Sequence, residues 1–246
     1  MKLVVIGGTG LIGSQVVQKL AAAGHEVAGA APDTGVDLIS GKGLDQALAG
    51  ADVVINLANS PTFDEASVEF FRTSMSNLLA AGQRTGVRHQ VILSIVHVDR
   101  VPELAYYRAK TLQESLLRHG PTPYSIVRAT QFFEFIESTM SATSDASSVR
   151  LPATPIQPIA GADVVEAVVD VATHAPLNGV RDVAGPDVFR LDELARVTLT
   201  AHHDVRTVIT DDQAGLFAAV TGDVLTAGPE AQLAPTHYQE WVQLAH

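Results

Sequence analysis

Hydrophobic positions along this chain of 246 residues alternate between short continuous runs and helical stripes. Leu3 to Ile6 is an unbroken apolar run, the pattern of a buried strand. Leu11, Ile12, Val16, Val17 and Leu20 then recur at helical spacing, which predicts a helix over 14–23 ended by Gly24. Glu26 to Ala31 reads as a second strand, Pro32 to Gly35 as a turn, and Val36 to Ile39 as a third strand. A parallel crossover needs about a dozen residues, so this link has to be abbreviated. Leu44 to Leu48 reads as a short helix closed by Gly50, and Asp52 to Ala58 as a fourth strand ended by Asn59-Ser60-Pro61. A long helix follows over 64–85, with Phe70, Phe71, Leu78, Leu79 and Ala81 on its apolar face and Gly86 as its cap. His89 to Ser94 is a fifth strand, 95–101 a loop, and Leu104 to Arg118 a helix with Leu112, Leu116 and Leu117 inward. Gly120-Pro-Thr-Pro123 breaks that helix, and Tyr124 to Arg128 is a sixth strand. Strands alternating with helices predict an α/β fold, a doubly wound parallel sheet.

Past residue 130 the texture changes. Gln131 to Thr139 reads as a Phe-rich helix, 138–148 as a Ser/Thr/Ala-rich loop, and Pro152, Pro155 and Pro158 mark extended segments. A helix over Asp163–His174, a strand over Val180–Ala184, a helix over Leu191–Ala201 and a strand over 205–210 follow, and Asp211 to His246 reads as mostly helical. With no internal repeat and no evident linker, the reading is a single domain over 1–246: a cofactor-binding sheet to about residue 130 and a smaller C-terminal lobe that shapes a substrate pocket.

Composition narrows the chemistry. A net charge of −11 repels nucleic acid and anionic membranes, so neither is an expected partner. Any anionic cofactor must then be held by local dipoles and a few basic groups. The absence of cysteine excludes thiol catalysis, disulfides and cysteine zinc sites. The N-terminal apolar run is broken by glycine at position 7 and is not read as a secretory signal. No stretch reaches the ~18 apolar residues of a membrane span. A cytoplasmic protein acting on a small molecule is expected, as a monomer or homodimer. His202-His203 does not read as a metal site, since adjacent histidines point apart, and no metal is expected.

The first strand runs into Gly7-x-x-Gly10-x-x-Gly13, spaced differently from the G-x-G-x-x-G fingerprint but placed like it between strand and helix. One glycine allows the tight turn, one lets the backbone approach a pyrophosphate, and one lets helix and strand pack closely. The free N–H groups at the helix N-terminus then face the phosphates. Ligands of open parallel sheets lie beyond the carboxyl ends of the strands, so 58–61, 94–98 and 129–132 are expected to line the site. A second constellation is Tyr106 with Lys110, four apart and on one helical face, with Ser94 at the end of the preceding strand. A phenol with a pKa of about 10 needs help to exchange protons at neutral pH. Lys110 would lower it, Ser94 would hold the substrate oxygen, and Tyr106 would protonate a carbonyl as hydride arrives. Tyr107 is expected to pack or point into the pocket, Arg108 to be solvated, and His97 to be a loop residue at the rim.

In these residues the chain resembles the short-chain dehydrogenase/reductase superfamily, and within it the atypical NmrA-like branch. Gly7-Gly-Thr-Gly-Leu-Ile-Gly13, Asn56-Leu-Ala58, Ser94, Tyr106-x-x-x-Lys110 and Arg128-Ala-Thr-Gln-Phe-Phe133 match it in order and position. The resemblance implies a Rossmann-type fold with bound NAD or NADP, and catalytic Ser94, Tyr106 and Lys110. It implies cofactor contacts from Gly7, Thr9, Gly10, Leu11, Ile12, Gly13, Leu57, Ala58, Asn59, Lys110, Ala129, Thr130 and Phe132. The family often places an asparagine on the long helix, where this chain has Phe71. The second strand ends in Ala30-Ala31-Pro32, without the acid that binds a ribose 2′-OH, which tilts the expectation toward NADP, whereas Asp33 argues the other way. The function implied is reduction of a small carbonyl or oxidation of an alcohol. A non-catalytic cofactor-binding sensor and, more weakly, a sugar epimerase are the alternatives.

Overall fold

The computed structural model describes residues 1–220 and 222–244. Its centre is a seven-stranded parallel sheet flanked by helices, an α/β fold. In chain order the first elements are β1 (Lys2–Ile6), α1 (Leu11–Ala22), β2 (Glu26–Ala30), α2 (Leu44–Leu48), β3 (Val53–Asn56), α3 (Ala66–Thr85), β4 (His89–Ile95), α4 (Ala105–Arg118) and β5 (Tyr124–Ala129). Then come α5 (Ile136–Ser141), β6 (Ser148–Leu151), β7 (Pro155–Ile156), α6 (Gly161–Thr173), β8 (Gly179–Ala184), β9 (Phe189–Arg190), α7 (Leu191–Ala201), β10 (Thr207–Thr210), β11 (Gln232–Leu233) and α8 (Tyr238–Leu244). The sheet runs β11-β8-β5-β4-β3-β1-β2, and two small two-stranded sheets, β10-β6 and β7-β9, stand apart from it. Among the described residues, no helix is long and apolar enough to cross a membrane.

The chain divides into two compact units. One holds Met1–Arg128 and Val164–Arg181, the other Ala129–Asp163 and Asp182–His246. Within the first, β1 pairs with β2 and β3, Ile6 standing opposite Ala30 and Asn56. Strand alternation sends Val4 and Ile6 into one core with Leu44, Leu48, Val54, Leu78 and Ala81. Farther along the sheet, Met75, Ile92, Leu117 and Ile126 close a second cluster among α3, α4, β4 and β5. The second unit is centred on Phe133, Tyr238 and Trp241, whose rings meet at 5.0–5.9 Å.

Three expectations are corrected. Residues 36–39 form no strand. After a 3₁₀ turn at Pro32–Thr34 the chain folds back on itself, with Val36 and Leu38 buried but not paired in the sheet. The Asp37 carboxylate accepts from Ile39 N–H at 2.8 Å and Ser40 Oγ at 2.7 Å, and glycines at left-handed φ stand at 35, 41 and 43. Asn77 of α3 donates to the carbonyls of Leu38 and Ile39 at 2.8 and 2.9 Å, meeting needs a neighbouring strand would otherwise meet. Next, 131–139 is a 3₁₀ turn at Phe133–Phe135 leading into the short α5. Finally, the stretch after Asp211 is mostly loop, with a 3₁₀ turn at Leu216–Ala219, β11 and α8. Residues 221, 245 and 246 of that stretch lie outside the described residues. The strand β6 has no counterpart in the sequence reading, because its first residue, Ser148, continues the Ser-rich stretch that precedes it.

One core contact carries a pH signature. His89, buried at the start of β4, bonds Ser125 Oγ at 2.9 Å, and that hydroxyl also accepts from Leu177 N–H at 2.9 Å. Burial pushes His89 down to about 4 from an ordinary 6.5. The folded state therefore keeps the ring neutral while the unfolded chain takes up a proton, and stability is lost as pH falls from about 6.5 toward 4. The loss is on the order of 3 kcal/mol at most. Denaturant midpoints compared at pH 7 and pH 4.5 should fall further for the wild-type protein than for His89→Gln.

Candidate cofactor and catalytic site

The glycine turn joins β1 to α1 through backbone contacts that leave no room for side chains. Gly7 sits at φ +76, and a Cβ there would lie 2.9 Å from Ala58 N and from the Leu57 carbonyl carbon. Gly13 packs tighter still, since its added Cβ would fall 2.0 Å from Gly7 O. Gly8 would meet Gly29 Cα of β2 at 2.5 Å. The sequence reading passed over that last pair, although an isolated glycine inside a strand signals such an approach. Gly10 differs. Its backbone is extended, and a Cβ there would meet only Gly7 O, at 3.3 Å. The protein's own packing does not demand glycine at that position, whereas a ligand resting on the turn would.

Gly10 is also the N-cap of α1. It supplies no side-chain bond, and the first turn carries no acid. Ser14 N–H is the donor to Gly10 O, so the amides of Leu11, Ile12 and Gly13 precede the hydrogen-bonded ladder. Donors, a helix dipole and an open backbone fit a pyrophosphate. Beside the turn, Asn56 Oδ1 accepts from Ala58 N–H at 3.1 Å, which fixes the chain leaving β3. In the second unit, Ala129 and Thr130 are buried, Phe132 stacks on Phe135 at 5.6 Å, and Thr130 Oγ1 is enclosed without a hydrogen-bond partner. An enclosed, unbonded hydroxyl is a group that a bound ligand would satisfy.

Tyr106 and Lys110 lie on one face of α4. The Tyr106 hydroxyl donates to Asn59 Oδ1 at 2.6 Å, and its ring stands edge-on to Phe63 and Phe71 at 4.8 and 6.2 Å. Burial pushes the phenol up to about 12, the opposite of the lowering expected from Lys110, and its bond to Asn59 offsets only part of that rise. Lys110 is buried, with Nζ bonded to Leu93 O at 2.7 Å and to Gln113 Oε1, and it lies 4.8 Å over the Phe71 ring. Burial lowers it to about 7, against the pull of Glu114. Phe71 thus occupies the space between the two as an aromatic wall.

Ser94 shares a strand face with Ile92, which packs toward α3 and α4, and its hydroxyl lies against Glu114 of α4 and makes no hydrogen bond of regular geometry. Glu114 is itself buried. Burial alone would raise its carboxyl, but two bonds from Arg128 at 2.8 and 2.7 Å, with Ser94 and Arg118 behind them, hold it below the usual range. This ion pair ties α4 to β5 beneath Lys110, and the sequence reading missed it. Its only signal was an acid four residues past Lys110 on the same helical face. Arg108, expected to be solvated, donates to the carbonyls of Pro102 and Glu103 and pairs with Glu65. Tyr107 is buried, and His97 opens a 3₁₀ turn at φ +53. In the second unit His202 ends α7, 3.8 Å from Glu137, and His203 follows at φ +52.

A model of the NAD(P)H-binding family matches residues 7–175. The chain belongs to that family. The chain is 29% identical over 162 residues to a (4-alkanoyl-5-oxo-2,5-dihydrofuran-3-yl)methyl phosphate reductase of Streptomyces griseus, over 60% of this chain and 54% of that protein. It is 25% identical over 149 residues to the photosystem II assembly factor Ycf39 of Synechocystis, over 54% of this chain and 46% of that one. The chain spans about half the length of these curated relatives. A dTDP-4-dehydrorhamnose reductase of Bacillus anthracis, solved with NADP, shares the fold at a TM-score of 0.72 and 15% identity, covering 98% of this chain and 97% of that one.

For this NAD(P)H-binding chain the two kinds of glycine predict different failures. Gly10→Ala should lower the melting temperature far less than Gly13→Ala and weaken NADPH binding, because its new methyl group meets a single carbonyl oxygen at 3.3 Å but stands in the way of an approaching ligand. Gly13→Ala drives a Cβ into backbone that cannot yield and should lower the melting temperature by several degrees. Thermal melts beside a fluorescence titration of NADPH separate the two.

Proposed function

We propose that the protein is an NAD(P)H-dependent reductase of a small carbonyl compound, working by short-chain dehydrogenase/reductase chemistry and belonging to its NmrA-like branch. The observation that carries this reading is the placement of Tyr106 and Lys110 on one buried face of α4, in the same unit as the glycine turn. When bound, the nicotinamide supplies the hydride. Tyr106 gives its phenolic proton to the substrate oxygen as the carbonyl carbon is reduced, leaving a phenolate that is reprotonated from water. A phenol raised to about 12 holds its proton at neutral pH but is a weaker acid than a free phenol, so donation draws on positive charge brought near it when cofactor and substrate bind. Lys110, close to neutrality at about 7, can carry a charge that steadies the phenolate and still accommodate a ribose hydroxyl. Ser94 acts in this reading through Glu114, which it helps to hold ionised, rather than on the substrate oxygen.

NADP is favoured over NAD by the bare end of β2. Ala31 is fastened there by Thr34, whose Oγ1 accepts from Ala31 N–H at 2.8 Å and donates to Ala31 O at 2.9 Å, and no acid stands at the strand end to repel a 2′-phosphate. The reductase of Streptomyces griseus supports the reaction class. The Synechocystis assembly factor favours a second reading, in which the cofactor regulates a partner and is not turned over.

Tyr106→Phe decides between them. It should lower carbonyl-dependent NADPH oxidation by about a hundredfold or more while leaving NADPH affinity nearly intact. Tight NADPH binding with no turnover across a broad carbonyl panel, in the wild-type protein, would move the conclusion to the regulator.

A further inference from the structure

The phenol of Tyr106 is held by a residue that neither the glycine turn nor α4 contains. We infer that Asn59, on the segment between β3 and α3, is the positioning residue of the Tyr106 hydroxyl; the inference rests on the reading of Tyr106 as proton donor. Asn59 Oδ1 accepts from the phenol at 2.6 Å and also from Ser60 N–H at 2.9 Å. The second bond decides the first. With Ser60 N–H on Oδ1, the amide turns its acceptor end to Tyr106, so the phenol donates. Neither of the polar partners expected from the sequence is bonded to the phenol oxygen. Lys110 Nζ is bonded to Leu93 O and Gln113, and the Ser94 hydroxyl lies against Glu114.

The segment that carries Asn59 is fastened along its length to α4. Phe63 packs edge-on against the Tyr106 ring at 4.8 Å, and Glu65 pairs with Arg108 one residue past Tyr107. Ser60 is buried, and its Oγ accepts from Thr62 N–H at 3.3 Å. Phe63 and Phe71 pack edge-on against the ring, and Asn59 holds its hydroxyl end. The three contacts together set where the phenol oxygen stands when a carbonyl arrives, and the O–H then turns from Oδ1 to the substrate oxygen.

Asn59 is exposed, so truncating it does not threaten the core. The test labels the four tyrosines with ¹³C at Cζ and assigns the Tyr106 resonance by its loss in Tyr106→Phe. Asn59→Ala should shift that resonance alone and lower kcat by roughly tenfold, the worth of one hydrogen bond, with KM little changed. Asn59→Asp restores an acceptor of the same shape. It should bring kcat back toward wild type while moving the alkaline limb of the pH profile upward, since a carboxylate disfavours the phenolate. An unmoved Tyr106 resonance in Asn59→Ala overturns the inference, as does loss of NADPH affinity without that shift, which would make Asn59 a cofactor contact only. Full activity in Asn59→Ala, with Tyr106→Phe inactive, overturns the inference and spares the reductase reading. A Tyr106→Phe protein that keeps wild-type turnover overturns both.

Discussion

The backbone of Gly13 rests against the carbonyl of Gly7, in a space where a single methyl group would overlap the oxygen at 2.0 Å. That contact sets the angle at which α1 leaves β1, and the anion-binding end of the helix depends on it. It also brings the end of β1 beside Leu57 and Ala58, so that the turn and the exit from β3 share one edge of the sheet. Gly8 against Gly29 fastens the other side of the turn to β2 in the same way. Close backbone packing of this kind has no adjustable side chain in it. It makes the donor amides of residues 11–13 a rigid receptor, which suits an acidic protein that must bind an anion without a cluster of basic residues.

The second constraint is electrostatic and lies along α4. Two of its charged groups, Lys110 and Glu114, are withdrawn from water one turn apart. They are treated differently. Glu114 receives the planar fork of Arg128 and stays ionised, while Lys110 receives a carbonyl, an amide oxygen and an aromatic face, and loses affinity for its proton. The carboxylate with its arginine anchors the helix to β5. The lysine is left poised near neutrality, the range in which a small added charge from a ligand can reset it.

Much of this was legible in the order of residues. The period of the apolar positions located β1 to β5 and the helices between them, and the glycine spacing marked the turn. The four-residue interval put Tyr106 and Lys110 on one face. What escaped depended on contacts far apart in the chain. Val36 to Ile39 has a strand's composition, but the Asn77 side chain, some forty residues on, takes the carbonyls that strand pairing would use. Asn59 could be counted among turn residues, but its bond to Tyr106 spans 47 positions and no local pattern marks it. Past residue 211 the chain is mostly loop, and Tyr238 and Trp241 of α8 pack on Phe133 from the far end of the sequence, a contact that helical spacing does not mark.

The corrected segment after β2 bears on cofactor choice. In a doubly wound sheet the strand next to β1 ends where an adenine ribose lies, and an acid there selects the free 2′-hydroxyl. Here β2 ends in Ala30 and Ala31, and the chain turns at once through Pro32–Thr34 under the grip of Thr34 on Ala31. The fold-back over 36–43, pinned by Asp37 and Asn77, replaces the helix that would otherwise follow. Asp33 is carried on the exposed side of that turn, past the strand end. With no carboxylate on the strand end itself, that edge lacks the group that would pair with a free 2′-hydroxyl and exclude a 2′-phosphate, which is the physical ground for expecting NADP to be accepted there.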